Sequence, residues 1–178
     1  MNPVLRHRGN RLLSLAAAVG LGLAIAGCEE VVTTDYEAMA VTTYTWRAEY
    51  RPQGVTPDRP REGRTETFET NSLVNTNGQP TVDPTGERDS NGIWWPAIPP
   101  KPTVDELEAR QQSGEEFSEP LINQSVKYTL TFDQGGQTVT LPTNYSVYRE
   151  AVRAFEGDRP LKLLLGAQNA SVQKAEMQ

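Results

Sequence analysis

Four groups of residues in this chain have types and spacings that can do chemistry. Glu115, Glu116 and Glu119 supply carboxylates of the kind a glycosidase pairs across a sugar, one as acid and one as base or nucleophile. Nothing in their spacing fixes two of them across a cleft, and their Gly and Ser neighbours suggest a solvated loop. Glu87-Arg88-Asp89-Ser90-Asn91-Gly92 alternates oxygen ligands and then places a glycine, like the first half of a calcium loop. That pattern asks for Asp first and a bidentate Glu twelfth, where this chain has Glu87 and Ile98, so a polar turn is expected and no metal site. The segment Ile93-Trp94-Trp95-Pro96-Ala97-Ile98-Pro99-Pro100-Lys101-Pro102 sets adjacent indoles on a stiff, polyproline-like loop. There they can stack on a sugar or a partner surface, or they can pack. Packing is expected of Trp94 and Ile98, which would pin the loop to a sheet, leaving Trp95 as the exposed contact residue. Arg51, Arg59, Arg61 and Arg64 form a modest basic cluster broken by Asp58 and Glu62, which reads as a solvated face.

The N-terminal stretch carries a different kind of chemistry. Arg6, Arg8 and Arg11 precede an apolar run over residues 12–26 interrupted only by Ser14, Gly20 and Gly22. That charge asymmetry and a run of about 15 residues suit a signal peptide and are short for a spanning helix. The run ends in Ile25-Ala26-Gly27-Cys28, which resembles the bacterial lipobox. The resemblance implies cleavage after Gly27, diacylglyceryl transfer to the Cys28 sulfur and acylation of the new amine. Two or more acyl chains make a stable anchor where one is marginal. Residues 1–27 are thus expected to be a lipoprotein signal peptide, and the product to be held on a membrane by Cys28, facing the periplasm or the exterior. Glu29 and Glu30 do not match the Asp that favours inner-membrane retention in enterobacteria, so the choice of membrane is open.

Cleavage would also restrict what the remainder can do. The loss of three arginines takes the formal net charge from −6 to −9, which argues against nucleic acid and against broad adhesion to anionic lipid. The sole histidine, His7, leaves with the signal peptide, and the sole cysteine is consumed by the lipid. A mature chain of that kind hosts no Ser-His-Asp triad, no Cys-His nucleophile, no disulfide and none of the usual zinc sites. Carboxylate-pair chemistry, Ser-Lys chemistry, oxygen-ligand metal sites or no catalysis remain. The Asn-x-Ser matches at Asn123, Asn144 and Asn169 carry no weight in a bacterial lipoprotein.

The elements that must position these residues are mostly strands. Residues 28–38 show no persistent period and read as a lipidated tether, with a single domain over residues 39–178. Tyr44, Trp46, Ala48 and Tyr50 alternate with Thr45, Arg47, Glu49 and Arg51, a period of two that Pro52 and Gly54 stop. A weaker strand is expected over 64–74, on Phe68 and Leu73, before the turn signal Asn77-Gly78. Residues 75–122 hold seven prolines and form an excursion, within which Thr103-x-x-Glu106 is a capping box for a short helix to Gln112. Val126, Tyr128, Leu130 and Phe132 then alternate, Gln134-Gly135-Gly136 turns the chain, and Val139 and Leu141 return until Pro142. Tyr145, Tyr148, Val152 and Phe155 recur at helical spacing up to Gly157, and Leu161, Leu163 and Leu165 read as a strand, with a last strand at 170–175.

This order resembles small β modules of uncharacterised bacterial membrane-associated proteins, on Tyr128-x-Leu130-x-Phe132, Tyr148, Gly157-Asp158 and Leu161-x-Leu163. It implies a fold and no activity. The expected architecture is α+β, mainly antiparallel sheet, open or closed into a small open barrel, with one helix at 145–156 and the proline-rich excursion lying across it. The expected function is a non-catalytic interaction or structural module with an envelope partner and no cofactor. The competing expectation is a glycan-binding or carbohydrate-active domain using Trp94, Trp95 and the glutamates.

Overall fold

In a computed structural model, which describes residues 29–54, 63–84 and 86–178, the alternation around Tyr44 belongs to a strand far longer than the sequence pattern shows. Strand β1 spans Glu30–Thr33 and β2 spans Tyr36–Pro52. β3 covers Arg64–Thr76 and β4 the pair Gln79–Pro80. Helix α1 is Val104–Arg110, followed by β5 (Glu115–Phe117), β6 (Leu121–Gln134) and β7 (Gln137–Thr143). Helix α2 is Tyr145–Glu156, and β8 (Leu161–Leu165) and β9 (Val172–Met177) complete the chain around a short 3-10 turn at Ala167–Asn169. Gly27 and Cys28 lie outside the described residues, as do Arg59 and Arg61.

The strands form two antiparallel sheets, one in the order β1-β8-β9 and one in the order β4-β3-β2-β6-β7, with β5 also on β2. Neither closes, so the fold is α+β and mostly β without a barrel. Every even-numbered residue of β2 from Tyr36 to Ala48, and Tyr50 beyond, faces the same side: Tyr36, Ala38, Ala40, Thr42, Ala48 and Tyr50 are buried. Their β6 partners run from Phe132 and Leu130 down to Val126. Against this face pack Val147, Tyr148, Ala151 and Ala154 of α2 and the three inward leucines of β8, making the principal core. At the other end of β2, Ala48 and Tyr50 form a second cluster with Leu107 of α1, flanked by Phe68 and Phe117. β2 is 17 residues long, about 55 Å at roughly 3.4 Å per residue, and so belongs to both clusters.

β3 keeps apolar side chains on the inner side at both ends only because it is irregular. Leu73 pairs with Thr42, and Glu66 with Ala48, the register shifting between Thr45 and Arg47. A one-residue bulge in β3 changes which residues face inward. Phe68 and Leu73, five apart and on opposite faces of a regular strand, both reach the inner side in this way.

Several sequence expectations need correction. Residues 29–38 are not a tether: β1 pairs with β8 over Glu30–Thr33, and β2 begins at Tyr36 opposite Phe132. The excursion is narrower than 75–122, because Asn75 and Thr76 still pair with β2 and β4, and β5 rejoins the sheet at Glu115. Pro142 does not end β7 but sits within it, opposite Thr129; β7 is an edge strand, where a missing donor is tolerated. The last strand is Val172–Met177. The capping box at Thr103 and Glu106 is present, and α1 makes a second helix whose inward contact is Leu107, with Val104 exposed.

Candidate functional site

The proline-rich loop lies on the inner face of the large sheet, over the stretch of β2 between the two clusters. Its fixing points are polar and buried. The Asn75 side chain, fully enclosed, accepts from the Trp94 N–H at 2.9 Å and donates to the Trp94 carbonyl at 3.0 Å. Thr42 Oγ1 donates to that same carbonyl at 2.8 Å. Further along, Asn71 donates to the Ala97 carbonyl and the Trp46 indole N–H to the Pro99 carbonyl, at 3.0 and 2.8 Å. A loop rich in proline has few N–H groups but keeps every carbonyl, so strand side chains that donate are what it needs.

The apolar pin is Ile93, 1% exposed, and Pro96 and Pro99 are buried further along the loop. Ile98, expected to do this, is 59% exposed. Trp94 is held by its backbone and stays half-buried. Trp95 is also half-buried and is not free: its ring lies 4.9 Å from that of Tyr44, and its indole N–H donates to Asp89 at 3.0 Å. The other Asp89 oxygen accepts from the N–H groups of Asn91 and Ile93, both at 2.9 Å. Both oxygens of that carboxylate therefore work within the turn, and the half-motif for calcium is a hydrogen-bonded loop. Gly86 closes its base, since a Cβ there would meet the Trp95 and Pro96 carbonyl oxygens at 2.5 Å. Beside the turn is an open concavity of about 480 Å³ lined by polar residues, including Arg88, Asn91, Tyr145 and Arg149.

The glutamates are elsewhere. Arg64 grips Glu115 with two bonds, of 3.0 and 2.7 Å, and reaches the Arg110 carbonyl at 2.6 Å while lying over the Tyr50 ring. The hydrogen bonds from Arg64, then the Gln112 N–H, hold the Glu115 carboxyl below the ordinary range. Glu119 pairs with Lys101 at 2.7 Å, which lowers its pKa likewise, and Glu116 is exposed. Glu115 stands beside Tyr50 and Trp95 beside Tyr44, six residues apart on β2 and so about 20 Å. The structure thus does not bring the tryptophans and the paired carboxylate to one place. Arg51 pairs with Glu49, so the described members of the arginine group are engaged within the fold.

Asn144 caps α2, and Asn169 binds the Glu29 carboxylate. Sequence reading missed Thr42, Asn75 and Glu29. The first two give a faint signal, as polar residues at inward positions of otherwise apolar strands; Glu29 gives none. Among the described residues no three His, Cys, Asp or Glu side chains converge, and no helix is long and apolar enough to cross a membrane. No family model, curated protein or solved structure matches this chain.

Proposed function

We propose that the chain is a lipid-anchored extracytoplasmic protein that acts by contact, as an interaction or structural module for another envelope component. The observation that carries the anchoring is Ile25-Ala26-Gly27-Cys28, which stops one residue short of where the described fold starts. Support for contact over catalysis comes from the uses already made of the reactive groups. Asp89 holds a turn, Glu115 and Arg64 hold the end of the sheet, and the locked loop offers Ile98 and part of Trp95 to the outside.

A rigid platform of this sort loses little conformational entropy on binding. The test has two parts. Mass analysis of the mature N-terminus should find acylated Cys28; an unmodified Cys28, or cleavage elsewhere, removes the anchor. Photo-crosslinking in cells from position 98 should then capture an envelope protein, with the yield falling in Trp95→Ala. The half-exposed pair Trp94 and Trp95 keeps glycan binding as a second reading, and retention on glycan fragments with no protein crosslink would favour it.

A further inference from the structure

The start of the described fold is firmly fixed. Glu29, the residue after Cys28, is tied to three separate parts of the fold. Its carbonyl accepts from the Leu165 N–H at 2.9 Å, and its carboxylate accepts from Gln134 at 2.7 Å and from Asn169 at 2.5 Å. Glu30 then enters β1 directly. Gln134 opens the turn from β6 to β7, and Asn169 ends the 3-10 turn, so one side chain fastens two neighbouring turns to the start of the chain.

We infer that the surface formed by these two turns lies against the lipid headgroups and that β2 carries the opposite end of the domain away from the bilayer. The inference rests on acylation of Cys28. The reach of the connection decides the matter: a single peptide bond joins the acylated cysteine to the fixed Glu29, and consecutive Cα atoms are about 3.8 Å apart. The chemistry of the surface suits contact without insertion. Gln134, Gly135, Gly136, Gln137, Gln168 and Asn169 present amides and bare backbone, with no cation and no large apolar side chain, which fits zwitterionic headgroups. β2 starts at this end, because Tyr36 pairs with Phe132, two residues before Gln134. Its 17 residues run about 55 Å from there, to Tyr50, Phe117 and α1. The acidic balance of the chain disfavours the alternative of laying the long faces on an anionic leaflet.

The test is energy transfer on the full acylated chain in zwitterionic vesicles, with an acceptor dye on the headgroups and a donor on one introduced cysteine. Gln137→Cys places the donor at the anchored end and Ser113→Cys at the far end; both positions are exposed. Transfer from position 137 should exceed that from 113 severalfold. A flexible spacer of about ten Gly and Ser residues between Cys28 and Glu29 should largely erase the difference. Thr138→Cys and Glu116→Cys, also exposed, repeat the comparison if either first variant misfolds. Equal or reversed transfer with Cys28 acylated overturns the orientation alone. An unmodified Cys28 in the mass spectrum overturns both the orientation and the anchoring it rests on.

Discussion

Asn75 is the residue on which the attachment of the loop turns. Replacing it with Leu preserves much of its volume and removes one acceptor and the donors beside it. The Trp94 N–H, bonded at 2.9 Å in the native protein, is left without its partner next to a fully buried site. An unmade bond of that kind costs about 1–3 kcal/mol, and loss of the Asn75 donation to the Trp94 carbonyl removes about 1 more. Thr42 still serves that carbonyl at 2.8 Å, so the second loss is partial and the expected total is about 2–4 kcal/mol. Thr42→Val alone should cost about 0.5–1.5 kcal/mol, since Asn75 remains. The pair should be non-additive, because both side chains satisfy one oxygen. The assay is urea unfolding followed in parallel by tryptophan emission and far-ultraviolet circular dichroism. The three tryptophans all lie at this junction, so emission reports the loop and dichroism the sheet. A destabilisation by Asn75→Leu below about 0.5 kcal/mol, well under the cost of an unsatisfied buried donor, would refute the reasoning. Strict additivity with Thr42→Val would refute the shared-oxygen part of it.

Four further outcomes follow from local geometry. Gly86→Ala should loosen the loop by about 1–3 kcal/mol, the range for overpacking, because the new methyl meets two carbonyl oxygens at 2.5 Å; tryptophan emission in a thermal melt checks it. Glu115 has a folded pKa held below its ordinary value of 4.5 by Arg64. Its contribution is therefore complete above that pH and lost as pH falls through the lowered value. Glu115→Gln should be less stable than the parent at neutral pH, with the gap narrowing below pH 4.5; an unchanged acid limb would count against the pair. Tyr50→Phe should cost about 1 kcal/mol, as its hydroxyl donates to the Leu107 carbonyl at 2.9 Å. Tyr148→Phe should cost less than that, because its buried hydroxyl meets no acceptor and its polar neighbour is the Gly78 N–H; the two melting temperatures, compared side by side, decide it.

What the sequence shows clearly is what neighbours along the chain decide. The β6–β7 hairpin, α2 with its spacing of three and four, the capping box of α1 and the Asn77-Gly78 turn all rest on short-range patterns, and all are present. Asn77 and Gly78 both have positive φ, at 48° and 81°, as a tight two-residue hairpin turn requires. β1 escapes such reading because four residues carry little period and its partner β8 lies some 130 positions away. The first half of β2 is masked by Ala38 and Ala40, which are inward but too small to stand out as an apolar stripe. The β3 bulge breaks the alternation outright. Among the site residues, the tryptophan segment is conspicuous, but whether Ile93 or Ile98 is the pin depends on how the Asp89 turn aims the chain. That aim is set by Asn75 and Thr42, more than fifteen and fifty positions upstream of Trp94.

The shared strand β2 has a consequence for how the protein comes apart. The clusters at its two ends would, as separate cores, melt as separate units. Because β2 runs through both and is flanked by β3 and β6 for most of its length, opening either end strips hydrogen bonds from the strand that holds the other. Amide protons from about Ala38 to Ala48 should then exchange only through global unfolding, at one common free energy. The edge strand β7 and the outer turns should exchange earlier, by local opening. On this basis the chain denatures as one cooperative body, despite having two cores.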